Sequence, residues 1–296
     1  MSDHADDHPA FAWRRPDVSW RRRLDDLLPW LLSGPLVALY ALFLGLPLLR
    51  LVRLSLDDEA WIGANYAAVF LDPTYRTALV TSLAIAALVT AVAVVLGLFM
   101  AYFIARRDLP GERVIVAVIS FPISLPGILV AWAVIVLVGR TGVLTRAAAA
   151  VTGGDPSGYS VAFGLVGLLI GYVYFTLPRT TMSLVGAIEK VDPTVEEAAR
   201  SLGASPRQTF RHVTLPAILP GIASAVVLAF SVSMAAFGTA LLLASGTVDI
   251  LPLKIYSVIL GTYDYGAGSA MAIVLTAITV GVIYGYARLF GGAVYE

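Results

Sequence analysis

The stretch VEEAARSLGASPRQTFRHVTLPAILPG, residues 195–221, is charged and punctuated by turn formers, yet long apolar runs flank it on both sides. Helix start signals precede it and recur inside it. Thr194 with Glu197 three residues on fits a capping box; Asp192 followed by Pro193 fits a cap with proline at the first helical position, where a missing N–H costs nothing. Either starts a helix near Thr194. Good helix formers follow, and Gly203 stands where a glycine commonly ends a helix. Ser205, Pro206 and Gln208 then start another helix with its own capping box, running toward Pro216. The stretch therefore encodes helix, sharp turn, helix. Each cap contributes about 1 kcal/mol, more local order than a plain connection needs. A helix this short is marginal alone in water, so it packs against something. Ala198 and Ala199 leave a low-profile face, suited to a groove on a partner protein or to the surface of its own bundle and the lipid.

Outward from this loop the chain is greasy. Of 296 residues, 58% are hydrophobic and 14% charged, against about 25% charged in an ordinary soluble domain. Mean hydropathy is +0.84. The composition predicts an all-α integral membrane protein. Six windows supply the about 20 apolar residues that cross a hydrocarbon core as a helix: 27–51, 78–105, 114–138, 161–183, 217–245 and 269–289. Placing both termini in the cytoplasm puts 14 of the 20 Lys and Arg residues inside, as the positive-inside tendency requires. Arg179 is assigned to the inner loop in this count, and Arg21–Arg23 anchor the first span. Residues 1–26 mix Asp and Arg without an apolar run and read as a cytoplasmic tail. Residues 27–296 form the six-span domain, with a coupling loop at 184–216.

Composition also excludes functions. A net charge of zero offers nothing to nucleic acid, and no cysteine means no disulfide and no thiolate metal site. The three histidines, His4, His8 and His212, lie outside the spans, so no intramembrane metal or catalytic centre can use them. Windows 114–138, 161–177, 217–247 and 269–287 contain no Asp, Glu, Lys, Arg or His. Carriers driven by an ion gradient usually display such groups, so a secondary transporter is the weaker alternative. An intramembrane serine hydrolase would lack its base.

The loop resembles that of the membrane subunits of binding-protein-dependent ABC importers, whose pattern is EAA, three residues, G, nine residues, I-x-L-P. Here it reads Glu197-Ala198-Ala199, Gly203, then Val213-Thr214-Leu215-Pro216, with valine in place of isoleucine. The resemblance implies the type I importer permease fold, with six transmembrane helices and a cytoplasmic coupling helix between the fourth and fifth spans. Glu197, Ala198, Ala199, Gly203, Leu215 and Pro216 would couple to a separate ATPase. It implies a non-catalytic subunit of the bacterial inner membrane that forms half of a pathway by alternating access. Its implied partners are a cytoplasmic ATP-binding subunit dimer, a second permease chain, either of a different kind or a like copy, and an extracytoplasmic substrate-binding protein. ATP and Mg would be bound by the partner. Consistently, Lys190 follows Glu189 and Lys254 follows Leu253, so the chain lacks the Gly-Lys pair of a phosphate-cradling loop. NYAAVF (65–70), LGLFMAYFIAR (96–106) and LPLKIYSVI (251–259) resemble the polyamine-permease branch, whose relatives carry iron(III), thiamine or phosphonate compounds.

Three further features carry expectations. Ser233, Met234 and Phe237 in FSVSMAAFGTALLL (230–243) are candidate pathway-lining residues, or ordinary helix packing with hydroxyls bonded to their own backbone. Ala235 and Ala236 stand where many polyamine-type permeases carry an acid. Pro122, Pro126 and Gly127 in FPISLPGILVAW (121–132) predict a bend in the third span, static or beside a gate. The pairs Gly167/Gly171 and Gly281/Gly285 have the spacing of close helix packing.

Overall fold

The computed structural model describes residues 33–58, 61–107, 110–244 and 246–290. The N-terminal tail, Arg21–Arg23 and the start of the first window lie outside the described residues, as does the C-terminal end. Residues up to Leu51 belong to one unit and those from Val52 onward to a second. Among the described residues every regular element is helical.

Five helical stretches are long and apolar enough to cross a membrane: Ser33–Leu56 (α1), Pro73–Arg106 (α3), Gly127–Thr152, Pro206–Ala235 (α9) and Tyr265–Phe290 (α12). Leu165–Glu189 (α7) is as long but more polar. It can be so because it is enclosed, packed along α3 and α9. Thr176, Thr180, Thr181, Leu184 and Ile188 are buried there. The hydroxyls of Thr180 and Thr181 donate to the carbonyls of Thr176 and Leu177 one turn back, so burial leaves them satisfied.

The third window is not one helix. It divides into Glu112–Ser120 (α4), a 3₁₀ turn Phe121–Ser124 and Gly127–Val138 (α5). Pro122 and Pro126 remove two donors, and Leu125 is extended before Pro126, as the residue before a proline prefers. The expected bend is thus a break. A further helix, Val143–Thr152 (α6), follows a short turn at 139–142. The fifth span also breaks, at Ala236, into α9 and Phe237–Leu243 (α10). Short helices Ala64–Leu71 (α2) and Leu251–Thr262 (α11) precede the second and sixth spans.

Glycine spacing has separable outcomes. At Gly171 a Cβ would sit 2.8 Å from Leu243 and Thr239, so α7 and α10 approach closely only because the residue is glycine. Gly221 of α9 plays the same role against Ala187 of α7. Gly281 and Gly285 meet nothing within 4 Å in this chain. Arg179, counted with the inner loop although the 161–183 window includes it, lies inside α7.

Candidate functional site: the coupling loop and the broken fifth span

The loop after α7 folds as helix, turn, helix. Pro193–Ser201 (α8) is capped by Asp192, whose carboxylate accepts from the Thr194 N–H at 2.9 Å. Of the two start signals in the sequence, the aspartate–proline cap is the one formed. That N–H holds the Asp192 carboxyl below its ordinary range. At the far end Gly203 has φ +91°, the left-handed region. The Ala204 N–H reaches back to the Ala199 carbonyl at 3.1 Å, closing a glycine C-cap. The second capping box is complete: the Gln208 N–H donates to Ser205 Oγ at 3.3 Å, and the Ser205 N–H donates to Gln208 Oε1 at 2.8 Å.

Helix α9 then climbs through a π turn, Phe210–Thr214. Pro216 lies just beyond it. A proline supplies no N–H and crowds the carbonyl four residues back. Widening the turn, with the Leu215 N–H on the Phe210 carbonyl, carries the helix past this point unbroken. The same device precedes Pro47, where a π turn spans Ala41–Gly45 of α1.

One face of α8 is tied down and one is open. Glu196 is 3% exposed. Its Oε1 accepts from Arg106 Nε at 3.1 Å and from Thr214 Oγ1 at 2.8 Å. Arg106, the last residue of α3, also donates to the Val191 carbonyl at 2.9 Å. Arg200 Nη2 lies 3.7 Å from Glu196 Oε2. Tyr102 and Phe210 meet edge to face beside this network, with ring centroids 5.2 Å apart. Glu196 therefore clamps α8 to the ends of both α3 and α9. The sequence motif pointed to Glu197, which is exposed, as are Ala198, Gly203 and Pro216; Ala199 and Leu215 are half-buried. Locally only Arg200, four residues on, pairs with Glu196; its hydrogen-bond partners lie 90 residues before it and 18 after it, out of reach of a local pattern. Val195 is 51% and Leu202 is 90% exposed. With Ala198 and Ala199 they recur at helical spacing and form an apolar stripe without a partner among the described residues. That stripe was legible as periodicity.

The second constellation surrounds the break at Ala236. Its carbonyl accepts from the Tyr172 hydroxyl at 2.6 Å. Tyr172 is 2% exposed. Thr239 Oγ1 donates to the Gly127 carbonyl at 3.0 Å, joining α10 to the start of α5. A Cβ on Gly127 would lie 2.8 Å from Thr239 Oγ1, so this approach requires glycine. Of the candidate lining residues, Ser233 and Met234 are buried inside the chain, Ser233 beside Thr176 with the hydroxyls 3.4 Å apart. Phe237 borders a cavity of about 480 Å³ with Tyr256, the ring centroids 5.2 Å apart. A second cavity, about 370 Å³, opens beside Ala235 and Phe237 and is also lined by Gly127, Phe175 and Arg179. Among the described residues no group of three His, Cys, Asp or Glu side chains could hold a metal.

Residues 93–291 match the family model described as binding-protein-dependent transport system inner membrane component. The molybdenum transport system permease protein ModB of Mycobacterium tuberculosis is 32% identical over 224 residues, covering 75% of this chain and 82% of that protein. The sulfate transport system permease protein CysT of Synechocystis is 28% identical over 259 residues, covering 86% of this chain and 85% of that protein. Among solved structures, a bacterial alginate ABC transporter in complex with an alginate-pentasaccharide-bound periplasmic protein has a chain of the same fold. It matches with a TM-score of 0.76 at 18% identity, over 93% of this chain and 97% of that one. A chain of the MetNI methionine transporter in an inward-facing conformation matches with a TM-score of 0.57 at 17% identity, over 74% of this chain and 95% of that one. None of these four is a polyamine permease.

Proposed function

Because the chain belongs to the family of binding-protein-dependent inner membrane components, and is a permease subunit of an ABC importer, we propose that α8 is its coupling helix and that its cargo is a small oxyanion. The observation that carries the first half is the division of α8 into a clamped face and an open one. Glu196 fixes the helix to α3 and α9, while Val195, Ala198, Ala199 and Leu202 face outward for an apolar groove on a cytoplasmic ATP-binding subunit. Motion imposed on the stripe passes through the clamp into two spans at once, without bending the loop.

The residues proposed to take part in coupling remain Glu197, Ala198, Ala199, Gly203, Leu215 and Pro216, with Glu196 added. Two ATP-binding subunits hold ATP and Mg and supply the force. A second permease chain completes the pathway, and an extracytoplasmic binding protein delivers the cargo; both termini face the cytoplasm. Alternating access follows, with Ala236 near the moving part. The oxyanion reading rests on the molybdenum and sulfate permeases among the relatives. It displaces the polyamine, iron(III), thiamine and phosphonate classes that the sequence resemblance brought in.

The coupling half is tested with a cysteine at Ala199, in a chain that has none of its own. It is expected to crosslink to the ATP-binding subunit and to be shielded from bulky aqueous thiol reagents in the complex. Free reaction there would remove α8 from the interface. The cargo half is tested by purifying the cognate binding protein and identifying its retained ligand. Molybdate or sulfate is the expected result, and a polyamine would overturn it.

A further inference from the structure

Two cavities in this chain share the same pair of helices. The larger, about 780 Å³, is lined by Ser183, Gly186 and Lys190 of α7 and its end, and by Ala217, Gly221 and Ser224 of α9. The other, at the Ala236 break, is lined by Phe175 and Arg179 of α7 and by Val232 and Ala235 of α9. On α7 the positions 175, 179, 183, 186 and 190 recur every three or four residues and so share one face. On α9 the positions 217, 221 and 224, and then 232 and 235 about two turns further on, also share one face. The two cavities therefore lie one after the other along the same faces of α7 and α9. Each contains one cation, Arg179 in one and Lys190 in the other, about 16 Å apart at the helical rise of 1.5 Å per residue. Among the described residues no acidic side chain lines either cavity, and neither cation forms an ion pair.

An arginine within a span without a carboxylate needs a reason, since burying its charge is costly. Its stem and head are held by the protein: the guanidinium lies over the Phe175 ring, 4.1 Å from its centre, and donates to the carbonyls of Phe175 and of Ile123 in the broken third span. These bonds employ only part of a guanidinium's five N–H donors. The N–H donors that remain suit the oxygens of a tetrahedral anion.

We propose that the groove between α7 and α9 is an anion track, with Arg179 and Lys190 as cationic stations that small oxyanions pass in turn. It deepens the oxyanion reading above and rests on it for the identity of the cargo, whereas the sign of the track's charge is a separate claim. The absence of native cysteines allows a direct probe. In the assembled complex, Ala235→Cys places a thiol in the Arg179 cavity, where it is reacted with an anionic sulfonatoethyl and a cationic trimethylammonium-ethyl methanethiosulfonate. Corrected for their reactivity with free thiol, the anionic reagent is expected to react about tenfold faster, by field focusing in a cleft of one sign. Arg179→Gln should bring the two rates together, and Arg179→Lys should preserve the preference. Equal rates with Arg179 present, or a preference unchanged by Arg179→Gln, would overturn the track. If Arg179→Gln prevents assembly, Ser224→Cys with Lys190→Gln makes the same comparison in the other cavity, with the same outcomes for and against. Uptake of molybdate and sulfate by the unmodified complex in vesicles separates the two claims. An anionic preference without oxyanion uptake leaves the track and removes the cargo; uptake without the preference does the reverse.

Discussion

The chain interrupts a helix twice near function, and it completes the two interruptions differently. At Gly203, in the coupling loop, the loose backbone groups are met within a few residues. Asp192, Ser205 and Gln208 cap the starts, and a left-handed glycine closes the end. At Ala236, inside the fifth span, the satisfying groups come from far away: Tyr172 lies 64 residues off, and Thr239 reaches Gly127 across 112. The environment explains the contrast. A loop in water can cap itself with short polar side chains, and water covers any shortfall. Inside the hydrocarbon layer every exposed carbonyl costs several kcal/mol unless protein meets it, so a break there must be built by packing.

That contrast can be broken at either site. The largest effect is expected where the loop abandons local solutions, at the Glu196 clamp. Glu196→Ala leaves Arg106, 11% exposed, without its carboxylate and should cost about 3–5 kcal/mol, the usual penalty for orphaning one partner of a buried pair. Thermal unfolding of the purified complex would show it as a lowered midpoint, with ATP hydrolysis no longer linked to uptake. Swapping the two residues should recover part of the loss. A variant as stable and as coupled as the parent would deny the clamp.

Tyr172→Phe should come next. It removes the hydroxyl on the Ala236 carbonyl and nothing else, and losing a hydrogen bond between helices inside a membrane costs about 1–2 kcal/mol. The same unfolding measurement reads it, and transport should fall with it. An unchanged midpoint would show that the mid-membrane break does not need its remote partner.

Gly203→Asp tests the local solution. No neighbour lies within 4 Å of a Cβ there, so the penalty is backbone strain alone, about 1–2 kcal/mol for a left-handed residue. The protein should still insert and assemble but should lose substrate-stimulated ATP hydrolysis, because the turn that aims α8 has changed. Normal stimulation would contradict this.

The smallest effects belong to the caps. Ser205→Ala should cost about 1 kcal/mol at every pH. Asp192 differs: its carboxyl titrates below the ordinary range in the fold. Its contribution is therefore present above the unfolded carboxylate value and is lost as pH falls through the lowered one. Asp192→Asn should keep a cap and flatten that acid limb of stability, measured against the parent between neutral and acid pH.

The sequence by itself determined what depends on neighbours along the chain. Spans follow from runs of apolar residues, and the coupling turn follows from Asp192-Pro193, Gly203 and Ser205-Pro206-x-Gln208, because caps act over two or three residues. It also marked the prolines that break the third span, although not whether the helix would bend or stop. Tertiary structure alone decided which carboxylate holds α8, and that Ser233 and Met234 are enclosed while Val232 and Ala235 border open space. Those outcomes depend on which helix faces meet. In a bundle whose every face is apolar, the pattern of greasy residues does not say which faces those are. Close approach at Gly171 and Gly221, and hydrogen bonds reaching across a hundred residues, settle it.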